Sequence, residues 1–290
     1  MTRILLCGAG GQLGREIVRG APAKFVLKAL SHAECDITDR RRVVAAVDAF
    51  QPDAIVNAAA YTAVDGAETD RDHAFAVNAQ GPKHLAQAAR ARGAILVHIS
   101  TDYVFDGRNP MPYGTEAEVR PLGVYGASKA EGEREVLNSG ADALVLRTSW
   151  LYAASGQNFL GTVLRRLRTD GVMRVVDDQT GVPTAARDLA RAIWGCVDNP
   201  EARGILHWTN AGVASWYDFA NAIMELALAR SLIDTRKQII PIRSAEYATA
   251  VARPPYSVLD SRTAWQTLGY VPDHWRLALE RTIDEIAAAA

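Results

Sequence analysis

The sequence predicts an α/β protein built on a doubly wound parallel sheet with a smaller C-terminal lobe. Short apolar runs rich in Val, Ile and Leu alternate with longer Ala-, Arg- and Glu-bearing segments of helical character. The first apolar run leads directly into a glycine cluster and then into a helix-forming stretch, and the alternation loosens after Trp150. Such a rhythm favours a parallel sheet covered on both faces, because every crossover has to pack back onto the sheet. The 290 residues hold enough volume for one large domain, or for a domain with a smaller appended lobe.

Taken in order, the expected strands lie at residues 4–7, 25–30, 54–56, 95–99 and 143–146, within a unit spanning residues 1–150. Residues 124–136, VYGASKAEGEREV, read as a helix that places Tyr125 and Lys129 one turn apart on one face. Beyond Trp150 a helix is expected at 159–168, a strand at 173–176 and an Ala-rich helix near 185–197. A polar tail from His207 onward carries Trp208, Trp216, Trp265 and Trp275. Residues 151–290 are expected to form mainly a second lobe, with parts of 171–200 rejoining the first unit. The segment ARPPYSVLD at 252–260 cannot be helical, because its prolines lack the amide donor and restrict the residues before them.

Composition excludes several functions. The net charge of -1, without a sustained Lys/Arg run, argues against a nucleic-acid or anionic-membrane surface. No apolar run reaches the roughly 20 residues needed to span a bilayer, and RILLCGAG at the N-terminus has no charged, cleavable leader, so a cytoplasmic protein is expected. Cys7, Cys35 and Cys196 are odd in number and scattered, which suits small core hydrophobes rather than a disulfide framework or a metal cluster.

The glycine cluster reads Gly8-Ala-Gly-Gly11-Gln-Leu-Gly14, a GxxGxxG pattern. The first glycine permits a tight turn, the second lets the backbone approach a pyrophosphate, and the third lets helix and strand pack closely. The phosphates then sit at the positive N-terminus of the helix. Glycines of an ordinary turn would give the same pattern, but the strand before and the helix after favour a Rossmann-like dinucleotide site. An acidic reader of the adenosine ribose is expected roughly 20 residues on; Leu30-Ser-His-Ala33 offers none, and Asp36 lies slightly beyond. A preference for NAD is therefore not indicated, and Lys28, Ser31 or His32 could accommodate a 2′-phosphate. Ala58, Ala59 and Ala60 would let a flat ligand lie against the end of the third strand, and Thr101 stands at the carboxyl edge of the fourth, where ligands of doubly wound folds bind.

With these motifs in place, the chain resembles the extended short-chain dehydrogenases/reductases, and within them the dTDP-4-dehydrorhamnose reductases. The resemblance runs end to end through GAGGQLG, AIVNAAAYTAVD, ISTDYVFDG, VYGASKAEGE, LRTSWLY, DDQTGVPT and ARPPYSVLD, in the family's order. It implies NADPH- or NADH-dependent reduction of the 4-keto group of dTDP-4-dehydro-L-rhamnose. Tyr125 would protonate the developing alkoxide, Lys129 would lower the phenol's pKa from about 10 and hold the nicotinamide ribose, and Thr101 would bond the same carbonyl oxygen. The implied cofactor contacts are Gly8, Gly11, Gln12, Leu13, Gly14, Asp36, Ile37, Ala60, Tyr61, Thr62, Tyr125 and Lys129. The implied substrate contacts are Thr101, Asp102, Tyr125, Trp150 and Arg253, the last offering a guanidinium fork to a nucleotide diphosphate.

Some members use Mg²⁺ at a homodimer contact through glutamates; Glu16 fits one such place, while Arg187 and Asp188 occupy another. Two alternatives accompany this reading. Dehydratases and epimerases of the superfamily carry an acidic pair after the Thr, whereas here Thr101 is followed by Asp102 and Tyr103. A non-catalytic NADP-binding subunit, resembling the regulatory subunit of methionine adenosyltransferase, would keep the fold without turnover.

Overall fold

The computed structural model describes residues 1–169 and 171–289; Asp170 and Ala290, both within the expected second lobe, lie outside the described residues. The first half runs β1 (Thr2–Cys7), α1 (Gln12–Arg19), β2 (Phe25–Leu30), α2 (Arg40–Phe50), β3 (Ala54–Asn57) and α3 (Arg71–Phe75). A π-helical turn over Ala76–Gln80 leads into α4 (Gly81–Arg92), followed by β4 (Ile95–Thr101), α5 (Val124–Leu137) and β5 (Ala143–Thr148). The second half contains β6 (Leu151–Tyr152), α6 (Phe159–Thr169), β7 (Val172–Val176), β8 (Thr180–Gly181), β9 (Thr184–Ala185) and α7 (Ala186–Asp198). It continues with β10 (Gly204–His207), β11 (Ala214–Ser215), α8 (Trp216–Ala229), β12 (Gln238–Ile242), α9 (Arg262–Leu268) and α10 (Trp275–Ala288).

Six strands form one parallel sheet in the order β10-β5-β4-β3-β1-β2. Successive residues of β1 serve opposite faces, as the period of two requires. Ile4 and Leu6 meet Val56, Val97 and Leu146 under α1 and α7, whereas Leu5 meets Ile55, Leu96 and Val145 under α2 and α4. A strand buried on both sides has no polar face to show, hence the continuous apolar runs in the sequence. A further core gathers Leu160, Val163, Phe219, Ile223, Trp275 and Leu279 from α6, α8 and α10. No described helix is long and apolar enough to cross a membrane.

The doubly wound parallel sheet is the one the sequence predicts, but three of its strands extend past the apolar runs. β3 ends at Asn57, β4 at Thr101 and β5 at Thr148, against expected ends at 56, 99 and 146. Most of the added polar residues are buried beside partners; the Thr148 hydroxyl is buried without one. Asn57 Nδ2 lies 3.0 Å from His98 Nδ1, while Ser100 and Arg147 both bond Glu133. A reading based on apolar runs stops where these polar groups begin.

Candidate active site

The strand order reverses between β1 and β3, so the crevice above their carboxyl ends is the place where this topology receives a ligand. Gly8 leaves β1 with φ +88°, and a Cβ there would come within 2.5 Å of the Ala59 amide nitrogen, so the turn accepts only glycine. Gly11 caps α1, whose first turn has neither a side-chain cap nor an acidic residue. Its first N–H groups are therefore free to bond an anion. A Cβ at Gly10 would meet nothing within 4 Å, so the loop's outer side is open. These features fit the pyrophosphate of a nicotinamide dinucleotide.

The remaining expected cofactor residues divide by burial. Gln12 ties the loop to the other half of the crevice, donating to the Leu151 carbonyl at 3.3 Å and accepting from Asn158 at 3.3 Å. Leu13 and Ile37 are core side chains and can address a ligand only through their backbone. Asp36 Oδ1 accepts from the Thr38 amide at 2.9 Å and the Thr38 hydroxyl at 2.8 Å. Burial opposes ionisation of Asp36, but these bonds outweigh it and hold the carboxyl below its ordinary value. Ala60 and Thr62 are exposed. Tyr61 is gripped by Asn78, which accepts from its amide at 2.9 Å and donates to its carbonyl at 3.0 Å. Asn78 also reaches Ser128 Oγ at 3.0 Å, fastening this loop to α5. Sequence reasoning missed Asn78, since a lone Asn in a helical stretch carries no signal of its partners.

Above β4, Thr101, Asp102 and Tyr125 come together. Thr101 Oγ1 donates to Asp102 Oδ1 at 3.1 Å and accepts the Tyr103 amide at 3.2 Å. Tyr125 packs edge-on against the Tyr103 ring, with centroids 5.7 Å apart. Burial pushes the Tyr125 phenol up to about 12; a hydrogen bond with Thr101 opposes the rise and the Asp102 carboxylate adds to it. Lys129 is on the same helix and buried, but its Nζ donates to the Ile99 carbonyl at 2.6 Å. Burial brings the Lys129 ammonium down to about 8, with Glu133 working against the fall. The tuning of Tyr125 expected from Lys129 is therefore not what sets the phenol here. The ammonium is turned to a backbone carbonyl, and the neighbours that act on the phenol are Thr101 and Asp102. The phenol stays protonated at neutral pH, the form a proton donor needs.

Asp102 is 1% exposed, and burial lifts its carboxyl to about 7, against hydrogen bonds from Ser257 and Thr101. Ser257 belongs to the ARPPYSVLD segment, which thus crosses from the C-terminal half to the end of β4.

Beneath Tyr125 and Lys129 lies a buried polar network. Arg147 on β5 grips Glu133 of α5 with both arms, Nε to Oε1 at 2.9 Å and Nη2 to Oε2 at 2.6 Å. Ser100 Oγ donates to Glu133 Oε1 at 2.5 Å, and Arg147 Nη1 lies 3.2 Å from His207 Nε2. Burial and the Arg147 charge hold the His207 ring down to about 3. Neutral His207 must therefore donate from Nδ1 to the Tyr113 carbonyl, 3.0 Å away, and accept from Arg147. The network fixes α5, and with it both candidate catalytic side chains, to β4, β5 and β10. Its legible trace was Glu133 four residues after Lys129, but its partner Arg147 lies fourteen residues on in another element.

Trp150 follows β5 with φ 45° and stacks on Trp216, with centroids 3.5 Å apart and planes 5° apart. Trp216 Nε1 donates to Gln179 Oε1 at 3.2 Å, so the DDQTGVPT segment supports the stack. Arg253 does not face open crevice: its Nη2 bonds Asp65 Oδ2 at 2.5 Å.

A magnesium site is not formed by the residues expected to hold it. Glu16 Oε2 accepts from Arg19 at 2.5 Å, while Asp188 Oδ2 accepts from Asn210 at 2.8 Å and from Arg281 at 3.2 Å. No cluster of three metal-binding side chains exists among the described residues. Carboxylates already neutralised by guanidinium groups do not fit a divalent cation.

The model of the RmlD substrate binding domain family matches residues 1–288. The chain is 39% identical over 287 residues to dTDP-4-dehydrorhamnose reductase of Aggregatibacter actinomycetemcomitans, covering 97% of this chain and 98% of that protein. It is 41% identical over 290 residues to the probable dTDP-4,6-dihydroxy-2-methyloxan-3-one 4-ketoreductase of Streptomyces antibioticus, covering 99% and 96% respectively. Among solved structures, dTDP-4-dehydrorhamnose reductase from Bacillus anthracis in complex with NADP superposes with a TM-score of 0.92 at 34% identity, over 98% of this chain and 100% of that one.

Proposed function

The chain belongs to the RmlD substrate binding domain family, and from that membership and the geometry of its site we propose that it is an NAD(P)H-dependent reductase of nucleotide 4-ketosugars. Its substrate in this reading is dTDP-4-dehydro-L-rhamnose and its product dTDP-L-rhamnose. Bound at the glycine loop, the reduced nicotinamide supplies a hydride. The N–H groups of Gln12 and Leu13 hold its pyrophosphate, while that of Gly11 closes the loop on the Gly8 carbonyl, and the loop that Asn78 fixes around Tyr61 bounds its other side. Tyr125 gives the proton to the substrate oxygen as charge develops there. Thr101 donates a hydrogen bond to that same oxygen, which lowers the barrier only as the oxygen becomes anionic. Lys129, one turn along α5 from Tyr125 and bonded to the Ile99 carbonyl, contributes a buried positive charge, and Trp150 offers an apolar ring to the sugar.

The observation that carries the reading is the Tyr125 phenol, kept protonated by burial beside Thr101 and Asp102 at the carboxyl edge of the sheet. The test is oxidation of NADPH and NADH by the purified protein with dTDP-4-dehydro-L-rhamnose and with its UDP and GDP counterparts. Turnover is expected, fastest with the dTDP sugar. Absence of turnover with every ketosugar, despite tight NADPH binding, would overturn the reading in favour of a non-catalytic binding subunit. The same reading places the enzyme in the cytoplasm, and sedimentation of the pure protein decides between monomer and homodimer.

A further inference from the structure

The space in front of Tyr125 is narrow. Tyr103, Leu122, Gly123, Tyr125, Val251 and Pro254 surround a cavity of about 10 Å³. That is room for about one water molecule, whereas ligand pockets measure roughly 300–1,000 Å³. A sugar ring does not fit between these residues as they stand. One wall is made by Val251, Ala252 and Pro254, from the C-terminal half of the chain.

That wall belongs to a strap with firm ends and a weakly held middle. At its start Ser244 bonds Asp178 through both its amide and its hydroxyl, at 2.9 and 2.6 Å. At its finish Thr180 accepts from the Ser257 amide at 2.8 Å, and Tyr113 exchanges two backbone bonds with Val258 and Asp260, both at 2.8 Å. Between these ends, residues 245–250 are all exposed. Two ties hold the middle against the body of the protein: Glu246 pairs with Arg174 of β7 at 2.9 Å, and Asp65 holds the part nearest Tyr125. Asp65 accepts from the Ala250 amide through Oδ1 at 3.0 Å and from Arg253 Nη2 through Oδ2 at 2.5 Å. The Arg253 side chain is only 14% exposed while that of Asp65 is 50% exposed, so the pair joins a largely buried guanidinium to a carboxylate open to solvent. A second Arg253 nitrogen is spent within the strap, on the Val251 carbonyl at 2.7 Å.

On the reading that the substrate is a nucleoside diphosphate sugar, we propose that Asp65 is a place-holder for the substrate's phosphates on Arg253. Entry of substrate is then an exchange of one anion for another. The diphosphate takes the guanidinium fork, the Asp65 pin is released, and the Val251–Pro254 wall leaves the front of Tyr125. A guanidinium bonds carboxylate and phosphate oxygens in the same planar geometry, which is why the two can compete for it. Asp65 thereby sets selectivity: a ligand without an anionic group able to displace it meets Arg253 already paired and the Val251–Pro254 wall in place.

The test is calorimetric titration of dTDP into the NADPH-loaded protein, comparing the parent with Asp65→Asn, Arg253→Gln and the double variant. A partly exposed ion pair contributes about 0.2–1 kcal/mol, so Asp65→Asn is expected to tighten dTDP binding about 1.4- to fivefold. Arg253→Gln weakens binding, and Asp65→Asn has no effect in the Arg253→Gln background. Asp65→Ser, which cannot pair with Arg253 either, should match Asp65→Asn. The proposal is overturned if Asp65→Asn binds dTDP no more tightly than the parent. It is equally overturned if the tightening persists without Arg253, since that would be plain charge repulsion. Turnover of the ketosugar by the parent is measured separately, so failure of the latch and failure of the reductase reading are distinguishable.

Discussion

Replacing Glu133 by Gln tests whether the buried network holds the catalytic helix. The side chains of Glu133 and Arg147 are 4% and 2% exposed, and two nearly parallel hydrogen bonds join them. Gln keeps the shape but removes the charge, and its amide group would point a donor at an arginine that offers only donors. Breaking a buried pair by altering one partner costs about 3–5 kcal/mol, because the other charge is left without compensation. In chains of roughly this length each kcal/mol lowers Tm by about 2–4 °C, so a fall on the order of 10 °C is expected. Denaturant unfolding at pH 7 gives the free energy directly. Replacing both partners, with Glu133→Leu and Arg147→Met, should recover most of the loss, since an apolar pair of similar volume carries no buried charge. The substitution also reaches the chemistry. Burial lowers the Lys129 pKa to about 8 and Glu133 opposes the fall. Without Glu133 the Lys129 pKa drops further, and the basic limb of the kcat/KM profile moves to lower pH. A Glu133→Gln protein within about 1 kcal/mol of the parent would refute the reasoning, because a surface substitution has effects of that size.

Tyr125→Phe should leave cofactor and sugar binding intact while lowering kcat about 10²–10⁴-fold in the NADPH-oxidation assay, since it removes the proton donor alone; near-parental kcat would place the donor elsewhere. Gly11→Val puts a branched side chain where the loop meets the pyrophosphate and should weaken NADPH binding at least about tenfold, or ~1.4 kcal/mol, by fluorescence titration. Asp102 has a folded value of about 7 against an unfolded value of about 3.9. An acid whose pKa is raised on folding stabilises most below its unfolded value, and that contribution is lost as pH rises through the folded value. Stability should therefore fall by up to about 4 kcal/mol between roughly pH 4 and pH 7, and urea melts of Asp102→Asn across that range should lack this slope.

Several features were legible because they are local. The alternation of apolar runs prescribed a parallel sheet, since the stretch of a strand buried on both faces is apolar in an unbroken run, as in Ile4–Cys7 of β1. The glycine spacing prescribed a loop that only glycine can turn, and Gly8 has the positive φ and the close approach to Ala59 that this implies. The four-residue spacing of Tyr125 and Lys129 put both on α5, because helical periodicity depends on nothing beyond the helix.

Tertiary structure decided whatever rests on a partner distant in the chain. Strand ends moved outward to Asn57, Thr101 and Thr148; Asn57 and Ser100 become buriable once His98 and Glu133 are brought beside them. The sixth strand of the sheet comes from residues 204–207, beyond the point where the alternation had loosened. The direction of the Tyr125 shift, upward under burial and Asp102 rather than downward under Lys129, depends on where an ammonium turns, and Ile99 offers its carbonyl only in the folded chain. The pairing of Asp65 with Arg253 joins residues 188 positions apart. No periodicity encodes such a pair, because its energy exists only after the sheet has brought the two ends of the chain together.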